Sequence, residues 1–458
     1  MSGFAPFAGM RIAVVGLGRA GLPAAQRLAR WGAAVTAWDD RAEARDAASA
    51  AGLALRDPSA GMDADALLLS PGIPHRLPRP HPAARAAIAA GIPILCDVEF
   101  LYRAVRASGS AARFVGVTGT NGKSTTTALI HHILKAAGLP AEVGGNLGPA
   151  ALDLNILGSD GIYTLEMSSY MLERLASVRF NVGVMLNLSA DHLDRHGDMT
   201  GYAAAKTNIF ARQTREDVAV LGMDDAASIA LAAGIASRLV AISGSTALPG
   251  GVWAEHGVLR DDAGAILPLA EAPALPGTHN AQNAAAAAAA CLALGLPRDA
   301  IAQGIRTFPG LPHRQERIAE RHGVLFVNDS KATNADSAAR ALATYDRVVW
   351  IAGGIAKSGG IDSLAPYFPR IARAFLIGRD APALAATLAA HGVPHEIAFT
   401  LDAAVPAATQ AAFAGAAPVV LLSPACASFD QFSGFDARGD RFRALVLAQL
   451  ASINGRAA

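Results

Sequence analysis

The chain has 458 residues, of which 52% are hydrophobic and 17% are charged, with 39 basic residues against 38 acidic ones. This composition excludes a disordered protein, and the net charge of +1 excludes a global positive field of the kind that attracts nucleic acids. At roughly 100–200 residues per domain, the length predicts about three domains.

The cysteines and the apolar stretches indicate the compartment. Cys96, Cys291 and Cys426 are far apart and lack metal-ligand spacing, so we expect three buried thiols in a reduced environment. We see no secretion signal, and the longest apolar stretch, 284–296, is shorter than the roughly 20 residues that a membrane helix needs. We expect a cytoplasmic protein without a membrane-inserted segment, monomeric by default.

The first hundred residues alternate short aliphatic runs with helix-length stretches. Strands are predicted at 11–15, 34–38, 66–69 and 93–95, and helices over 22–31 and 82–90. Such alternation is typical of a parallel sheet covered by helices on both faces. The pattern predicts an α/β, Rossmann-like domain over residues 1–108.

A glycine loop, Gly16-Leu-Gly-Arg-Ala-Gly21, follows the first predicted strand, and Asp39 ends the second. This spacing matches a dinucleotide fingerprint, in which glycines let a diphosphate approach the start of a helix. Alone, the loop would suit NAD or NADP, another nucleotide diphosphate, or a purely structural turn. Because nothing downstream indicates hydride chemistry, we assign it to a UDP-type group. The predicted contacts are Gly18, Arg19, Ala20, Asp39, Arg41, Gly72 and Ile73.

A second glycine loop, Gly116-Val-Thr-Gly-Thr-Asn-Gly-Lys-Ser-Thr125, follows a predicted strand at 113–117 and leads into a helix near Lys123. It is a variant P-loop, since Val117 stands where the strict pattern has glycine. Main-chain N–H groups can wrap phosphate oxygens, and a lysine and hydroxyls can meet the phosphates and Mg²⁺. The predicted ATP contacts are Gly119, Thr120, Asn121, Gly122, Lys123, Ser124 and Thr125.

The rest of the chain predicts two further domains. Strands near 162–166, 182–186 and 217–221 precede a helix at 280–294 and another that ends at Phe308. Pro309-Gly-Leu-Pro312 then breaks helical geometry and marks a hinge. Strands near 323–328, 347–352, 373–377 and 418–422 follow. We predict a P-loop ATPase domain with a parallel-rich sheet over 109–309 and a Rossmann-like α/β domain over 310–458.

Gly119-Thr-Asn-Gly-Lys-Ser-Thr125 resembles the ATP loop of the Mur ligases and of the related folylpolyglutamate synthetases. Asn328-Asp-Ser-Lys-Ala-Thr-Asn334, Leu422-Ser-Pro-Ala-Cys-Ala-Ser-Phe-Asp-Gln-Phe432 and Gly310-Leu-Pro-His-Arg314 resemble the D-glutamate-adding members of the Mur ligase family. The resemblance covers nearly the whole chain. It implies a bacterial enzyme of peptidoglycan precursor synthesis. ATP would phosphorylate the carboxylate of UDP-N-acetylmuramoyl-L-alanine, and D-glutamate would attack the acyl phosphate.

The resemblance also implies a metal site in the central domain. Glu166 ends a predicted strand, and His192 follows another. His192 and His196 are spaced i and i+4, a spacing that also suits a zinc site. However, no glutamate lies between them as in HExxH. By resemblance two Mg²⁺ ions are expected, held by Ser124, Glu166, His192 and Lys206. Lys206 would capture CO₂ as a carbamate with two oxygen donors. The predicted catalytic residues are Lys123, Glu166, His192, Lys206 and Lys331.

Further binding residues follow from the resemblance alone. It adds Asn280, Asn283, Arg314 and Asp329 to the ATP site. It adds Asn146 and His192 to the UDP-substrate site. It implies that D-glutamate contacts Lys331, Thr333, Lys357, Ser428, Phe429 and Phe435. Two lysines suit a substrate with two carboxylates.

Three alternatives stay open at this point. A folate-type polyglutamate ligase would share the ATP loop, although the nucleotide-type first domain favours a UDP substrate. An NAD-dependent oxidoreductase fused to an ATPase would bind NADH. A non-catalytic nucleotide-gated binding protein would be expected to have lost Lys123, Glu166, His192 or Lys206, all of which are present.

Overall fold

The structure is a computed structural model that describes residues 4–58 and 61–456, with side chains through residue 452. Residues through Pro273 pack with Thr278–Phe308 into one compact unit, and Ala274–Gly277 packs with the residues from Pro309 onward into a second. The first unit holds a five-stranded and a nine-stranded sheet, and the second holds a six-stranded sheet. The α/β class is confirmed, while the boundaries at 108/109 and 309/310 stay predictions.

The five-stranded sheet is parallel throughout, in the order β3-β2-β1-β4-β5. Its strands are β1 (Arg11–Val15), β2 (Ala34–Trp38), β3 (Ala54–Leu55), β4 (Ala66–Leu69) and β5 (Ile94–Leu95). Its helices are α1 (Gly21–Arg30), α2 (Ala42–Ala50), α3 (Pro82–Ala89) and α4 (Asp97–Ala107). The strand order reverses between β1 and β4, so the loops after these two strands diverge and leave a crevice at their carboxyl ends.

The nine-stranded sheet has the order β14-β13-β12-β11-β10-β9-β6-β8-β7 and is parallel except at β12-β13-β14. Its strands are β6 (Arg113–Thr118), β7 (Ala141–Gly145), β8 (Ile162–Glu166), β9 (Val182–Met185), β10 (Val218–Gly222), β11 (Arg238–Ser243), β12 (Val252–Glu255), β13 (Val258–Asp261) and β14 (Gly264–Pro268). Its helices are α5 (Lys123–Ala136), α6 (Ser169–Leu172), α7 (Leu193–His196), α8 (Met199–Thr207), α9 (Ala226–Ile229), α10 (Thr278–Ala293) and α11 (Arg298–Thr307). The strand order reverses at β6, which lies between β8 and β9 and is parallel to both.

The alanine run at 284–290 lies in α10 and is completely buried. This helix packs against α5 and against β10, β11 and β12. Alanine gives the helix a small radius and a high helix propensity, so it can lie close to both the sheet and a neighbouring helix. In the described part of the chain, no helix combines the length and the apolarity that crossing a bilayer requires.

The second unit has the strand order β15-β16-β20-β17-β18-β19, with only the β15-β16 pair antiparallel. Its strands are β15 (Glu316–Arg321), β16 (Val324–Asn328), β17 (Val348–Gly353), β18 (Ile371–Ile377), β19 (His395–Phe399) and β20 (Val419–Leu422). Its helices are α12 (Ala335–Thr344), α13 (Ala381–Ala390), α14 (Leu401–Phe413) and α15 (Phe435–Arg456). Among the described residues, 3₁₀ helices also lie at Ala151–Asp153, Ala232–Gly234, Leu269–Glu271 and Asp362–Arg370.

The sequence correctly predicted the buried central strands and missed others, chiefly near sheet edges. The missed strands are β3, β7, β11, β12, β13, β14, β15 and β19. Central parallel strands are buried on both faces and therefore appear as aliphatic runs, as in Val182–Met185. Edge strands are half-exposed and carry charges, as in Glu316–Arg321, so periodicity alone does not reveal them.

The two sheets of the first unit are joined by polar contacts. The Arg27 guanidinium on α1 donates to the carbonyl oxygens of Leu152 and Leu154, each at 2.9 Å. Asp97, at the start of α4, accepts from the main-chain N–H of Ala151 at 3.0 Å. The segment 151–154 of the central sheet is therefore held against the helices of the first sheet.

Gly222 tests how tightly the central sheet is packed. A Cβ on this residue would lie 1.8 Å from the carbonyl oxygen of Leu186. Gly222→Ala should therefore lower the unfolding free energy by about 2 kcal/mol or more, because backbone must move to admit the methyl group. Gly234→Ala, where nothing lies within 4 Å of the added atom, is the matched control. Equal melting temperatures of the two variants would contradict the close packing at β10.

Candidate active site

The P-loop lies at the carboxyl end of β6, where the central strand order reverses. Gly119 and Gly122 have φ angles of +144° and +83°, which side chains rarely tolerate. A Cβ on Gly122 would also meet Oδ1 of Asn283 at 2.2 Å. The ammonium of Lys123 donates to the carbonyl oxygens of Gly119 at 3.0 Å and Thr120 at 2.8 Å. The loop is thus wrapped around its own lysine at the start of α5.

Polar side chains from two other elements hold the P-loop. Asn187, after β9, accepts from the N–H of Asn121 at 2.9 Å, and its amide donates to the Asn121 carbonyl at 3.2 Å. Asn283 on α10 accepts from the Thr126 hydroxyl at 3.2 Å, and its amide donates to Oδ1 of Asn280 at 2.9 Å. The structure therefore brings the predicted Asn280 and Asn283 to the P-loop. It also adds Asn187, whose role as a loop support the sequence did not reveal.

Lys206 is a buried amine directly beneath the P-loop. Its side chain is 1% exposed, and Nζ donates to the Gly119 carbonyl at 2.8 Å and to Oγ1 of Thr118 at 3.3 Å. Burial and the nearby charge of Lys123 lower the pKa of Lys206 well below its usual value. Burial penalises the charged ammonium, so the neutral amine is favoured here far more than on a surface lysine. A neutral amine is the form that can react with CO₂.

Glu166 ends β8 beside the P-loop strand and is 2% exposed. Its Oε1 accepts from the Asn146 amide at 2.6 Å, while its Oε2 is buried without a hydrogen-bond partner. A carboxylate oxygen left in this way costs free energy unless a cation or donor meets it. The structure thus brings the predicted Glu166 and Asn146 together and leaves one hard oxygen ligand available.

His192 precedes α7 in the left-handed region, with φ +54°, and its side chain is 47% exposed. Burial of its ring lowers the pKa of His192. The nearby charges of Lys123 and Lys206 lower this pKa further, whereas that of Asp191 raises it. The neutral ring can serve as a ligand. His196 does not join it, since its two ring nitrogens lie 2.9 Å from Glu173 and 2.9 Å from Ser169. The two histidines therefore do not form the pair of ligands that a zinc site would need.

The donor set fits Mg²⁺ better than a soft metal. Within residues 4–58 and 61–456, no three His, Cys, Asp or Glu side chains cluster in a ready-made metal cage. The unpartnered Glu166 oxygen is instead the observation that suits a hard cation bound partly by substrate phosphates. The three cysteines are free and buried, as predicted.

A cavity of about 580 Å³ lies at the carboxyl ends of the first sheet. Its walls come from the glycine loop, from the loop after β4 and from the central segment 145–153. Of the predicted UDP contacts, Arg19, Ala20 and Asn146 line it. Arg19 also crosses to the central sheet, donating to the Gly148 carbonyl at 2.8 Å. The cavity therefore lies at the strand-order reversal where nucleotide diphosphates bind in such sheets.

Asp39 supports the glycine loop. Its Oδ2 accepts from the N–H of Leu17 at 2.7 Å, and its Oδ1 accepts from the N–H and Nε of Arg41 at 3.0 and 3.1 Å. Burial alone would raise the pKa of Asp39, but these bonds hold it below its ordinary value. The carboxylate is therefore ionised and committed to the loop. The Arg41 guanidinium is 65% exposed beside it.

The second unit gathers the predicted amino-acid contacts at the carboxyl ends of β16, β17 and β20. Lys331 lies 5.0 Å over the ring of Phe435, and the Asn334 side chain caps α12 by accepting from the N–H of Ser337. Ser428 is buried, whereas Phe429 is 72% exposed. Lys357 is exposed, and Thr333 is half-buried with its N–H on the Lys331 carbonyl. Arg314 belongs to this unit as well.

Arg438 is a buried residue that the sequence did not single out. Its guanidinium donates to the carbonyl oxygens of Ser330 at 2.8 Å and Cys426 at 3.1 Å, and its Nε donates to the Ser330 hydroxyl at 3.0 Å. It therefore joins the loop that carries Lys331 to the one that carries Ser428. No pattern in the sequence signals this role.

Asp329 is buried in the second unit. Oδ2 accepts from the Ser423 hydroxyl at 2.7 Å, and Oδ1 accepts from the N–H of Gln315 at 3.2 Å. Burial raises the pKa of Asp329 to about 7 despite these bonds. Its protonation therefore changes near neutral pH.

This shift predicts a pH-dependent stability. A carboxyl group with a raised folded-state pKa binds its proton more tightly when folded, so its contribution is greatest below the ordinary pKa of 3.8 and is lost as the pH rises through about 7. From about pH 5 to about pH 7, the unfolding free energy of wild type should fall relative to that of Asp329→Asn by at most about 1.4 kcal/mol per pH unit. Above about pH 7, the two stability curves should run parallel. Thermal melts across this range measure the difference, with exposed Asp346→Asn as control. Parallel curves throughout would contradict it.

Comparisons with known proteins agree with this architecture. Residues 117–291 match the family described as "Mur ligase middle domain", and residues 313–426 match "Mur ligase, glutamate ligase domain". The chain is 51% identical over 447 residues to the UDP-N-acetylmuramoylalanine--D-glutamate ligase of Paramagnetospirillum magneticum, covering 96% of this chain and 97% of that protein. It is 49% identical over 458 residues to the enzyme of the same name from Rhodospirillum rubrum, covering 96% and 95%.

Solved structures share the fold at low identity. The UDP-N-acetylmuramate-alanine ligase of Thermotoga maritima superposes with a TM-score of 0.58 at 18% identity, covering 96% of this chain and 99% of that one. The MurF ligase of the same organism, in complex with ADP, gives a TM-score of 0.57 at 16% identity, covering 97% and 96%. Together with relatives near 50% identity over nearly the full length, these matches show that the chain belongs to the Mur ligase family.

Proposed function

We propose that the protein is the ATP-dependent ligase that joins D-glutamate to UDP-N-acetylmuramoyl-L-alanine in peptidoglycan precursor synthesis. The observation that carries the proposal is the assembly of a P-loop, the buried amine of Lys206 and the unpartnered oxygen of Glu166 at one strand-order reversal. The nucleotide-sized cavity of the same compact unit supplies a place for the UDP group. Relatives that carry the name of this activity cover 96% of the chain.

The first chemical step is phosphoryl transfer. An oxygen of the alanine carboxylate attacks the γ-phosphorus of ATP, the bond to the β–γ bridging oxygen breaks, and ADP leaves. Main-chain N–H groups at the start of α5 hold the phosphates, and Lys123 offsets their charge. The N–H groups of Thr120 and Asn121 are bonded to Asn187 and keep the loop in shape. Ser124, Glu166 and His192 are the residues that would hold Mg²⁺, which, when bound, supplies positive charge to the phosphate oxygens.

The second step forms the amide. The amine of D-glutamate attacks the acyl carbon, inorganic phosphate leaves, and the amine loses a proton. Phosphate is a far better leaving group than the oxygen of a free carboxylate, which is why ATP is required. Lys331, Thr333, Lys357, Ser428, Phe429 and Phe435 are proposed to bind D-glutamate. Two lysines match its two carboxylates.

Lys206 is proposed to work as a carbamate. The neutral amine attacks CO₂, and loss of one proton leaves an anionic group with two oxygens. An ammonium at this position would repel a cation, whereas a carbamate attracts one. The burial of the amine and its lowered pKa support the proposal, since only the unprotonated nitrogen can react.

The remaining assignments are also proposals. Asn280, Asn283, Arg314 and Asp329 are proposed to complete the ATP site. Gly18, Arg19, Ala20, Asp39, Arg41, Gly72, Ile73, Asn146 and His192 are proposed to serve the UDP substrate. A monomer working in the cytoplasm, where ATP and both substrates are available, fits this chemistry.

The reaction is tested by phosphate release from ATP with UDP-N-acetylmuramoyl-L-alanine, using D-glutamate, L-glutamate or no amino acid. We expect release only with D-glutamate. Lys123→Ala should lower kcat by about 100-fold or more, because it removes a cation from the transferring phosphoryl group. Lys135→Ala, on the exposed end of the same helix, should leave it unchanged. Release with L-glutamate, or with none of the three mixtures, would refute the assigned substrate.

The carbamate is tested separately. Lys206→Ala should be nearly inactive, and a small carboxylate such as acetate should restore part of the activity by replacing the two carbamate oxygens. Formate and chloride at equal ionic strength distinguish a carboxylate effect from a salt effect. An active Lys206→Ala enzyme, or an inactive one that neither carboxylate rescues, would argue against the carbamate.

A further inference from the structure

Arg174, a buried residue outside the predicted site, binds the loop that walls the nucleotide cavity. It lies just after α6, the short helix that follows β8, and it is 2% exposed. Nη1 donates to the carbonyl oxygens of Leu69 at 2.7 Å and Ser70 at 3.0 Å. Nη2 donates to the carbonyl oxygen of Ile73 at 2.6 Å and lies 3.4 Å from Nδ1 of His75. All four of its terminal N–H bonds are therefore directed at residues 69–75.

No carboxylate of the described residues is in direct contact with this guanidinium. Arg174 forms no ion pair with any described residue, and its Nε is buried without a hydrogen-bond partner. Burial lowers the pKa of Arg174 to about 10. An apolar side chain of the same size would avoid this desolvation cost, so packing does not explain the residue. What arginine provides here is a rigid fork that fixes several carbonyl groups at once.

His75, at the far end of this loop, is held in one tautomer. A guanidinium can only donate, so Nδ1 of His75 must accept, and the ring proton must lie on Nε2. That nitrogen is 3.8 Å from Oε2 of Glu173. Burial lowers the pKa of His75 to about 4, in agreement with a neutral ring. Arg174 thus determines both the position of the loop and the tautomer of the histidine that ends it.

The loop held by Arg174 also limits the glycine loop. Ser70 and Pro71 line the cavity. A Cβ on Gly16 would lie 2.6 Å from Cβ of Ser70 and 2.7 Å from Cδ1 of Ile73. The two loops that wall the cavity are therefore in direct contact, and a shift in one displaces the other. Arg195 adds a bond to the Gly72 carbonyl at 3.0 Å, so a second arginine binds the same loop.

We propose that Arg174 is a positioning residue for the UDP part of the substrate. It does not line the cavity, and it acts by fixing residues 70–73 against the glycine loop. This inference rests on the proposed function, because it assigns the cavity to UDP-N-acetylmuramoyl-L-alanine. Removing the guanidinium should weaken binding of that substrate and spare ATP and D-glutamate, whose proposed contacts lie elsewhere.

The test compares Arg174→Met and Arg174→Lys with wild type. Methionine keeps most of the packing volume and loses every N–H donor, while lysine keeps the charge and loses the fork. We expect the KM for UDP-N-acetylmuramoyl-L-alanine to rise about 10- to 100-fold in Arg174→Met and less in Arg174→Lys. The KM values for ATP and D-glutamate should change little. An unchanged KM for the UDP substrate, or an equal rise in all three, would overturn the proposal.

Arg106→Met is the matched control. Arg106 donates to the carbonyl oxygens of Ser110 at 2.7 Å and Ala112 at 2.9 Å in the same compact unit, and no hydrogen bond among the described residues joins it to 69–75. It should lower the melting temperature as Arg174→Met does and leave all KM values unchanged. If it raised the KM for the UDP substrate equally, general destabilisation would explain both variants.

A binding measurement separates this proposal from the proposed function. Calorimetry with UDP-N-acetylmuramoyl-L-alanine and no ATP reports the cavity alone. Wild type that binds this ligand but releases no phosphate would refute the ligase activity and leave Arg174 testable by its effect on binding. Equal affinities of wild type and Arg174→Met would refute the positioning role whatever the turnover. Should Arg174→Met fail to fold, Arg174→Lys and Arg195→Met decide by the same measurement, and unchanged affinity in both would overturn the proposal.

Discussion

Basic side chains bound to main-chain carbonyls hold the functional loops of this enzyme. Lys123 and Lys206 both donate to the Gly119 carbonyl of the P-loop. Arg174 binds the carbonyls of the loop after β4, and Arg438 binds those of the loops after β16 and β20. A loop cannot satisfy its own carbonyls as a helix does, so a buried donor must do so. Each of these side chains thereby fixes a loop by satisfying its carbonyl groups.

Sheet topology explains why these loops meet at functional positions. In each of the three sheets, the strand order reverses at one point. The loop that follows a strand at this point carries predicted site residues. In the central sheet, β6 lies between β8 and β9, so the P-loop, Glu166 and the segment before His192 share one edge. Parallel strands place all their carboxyl ends on one edge of the sheet. Residues more than forty positions apart in sequence can therefore act on one phosphate group.

The same environment gives ordinary residues unusual chemistry. Lys206 is a common helix residue by sequence, yet burial and Lys123 favour its neutral form. Glu166 ends a strand as many glutamates do, yet one of its oxygens is buried without a partner. Both effects arise because these side chains are buried against the central sheet, away from water. A surrounding of low polarity penalises any charge that lacks a partner. A ligase that transfers phosphoryl groups to a carboxylate needs such a site to hold cations.

The sequence by itself determined the α/β class, the central strands, the two glycine loops and the family. These features are local: aliphatic runs reflect burial on both faces, and Gly119 and Gly122 are needed where the backbone takes positive φ. It did not reveal the antiparallel strands β12–β14, which are short and of which β13 and β14 are half-exposed, so that they lack a clear period. Only the tertiary structure decided which charged residues are buried and what they bind. Arg174 and Arg438 differ from surface arginines solely in the loops that distant parts of the chain bring to them, and one sequence position carries no record of those contacts.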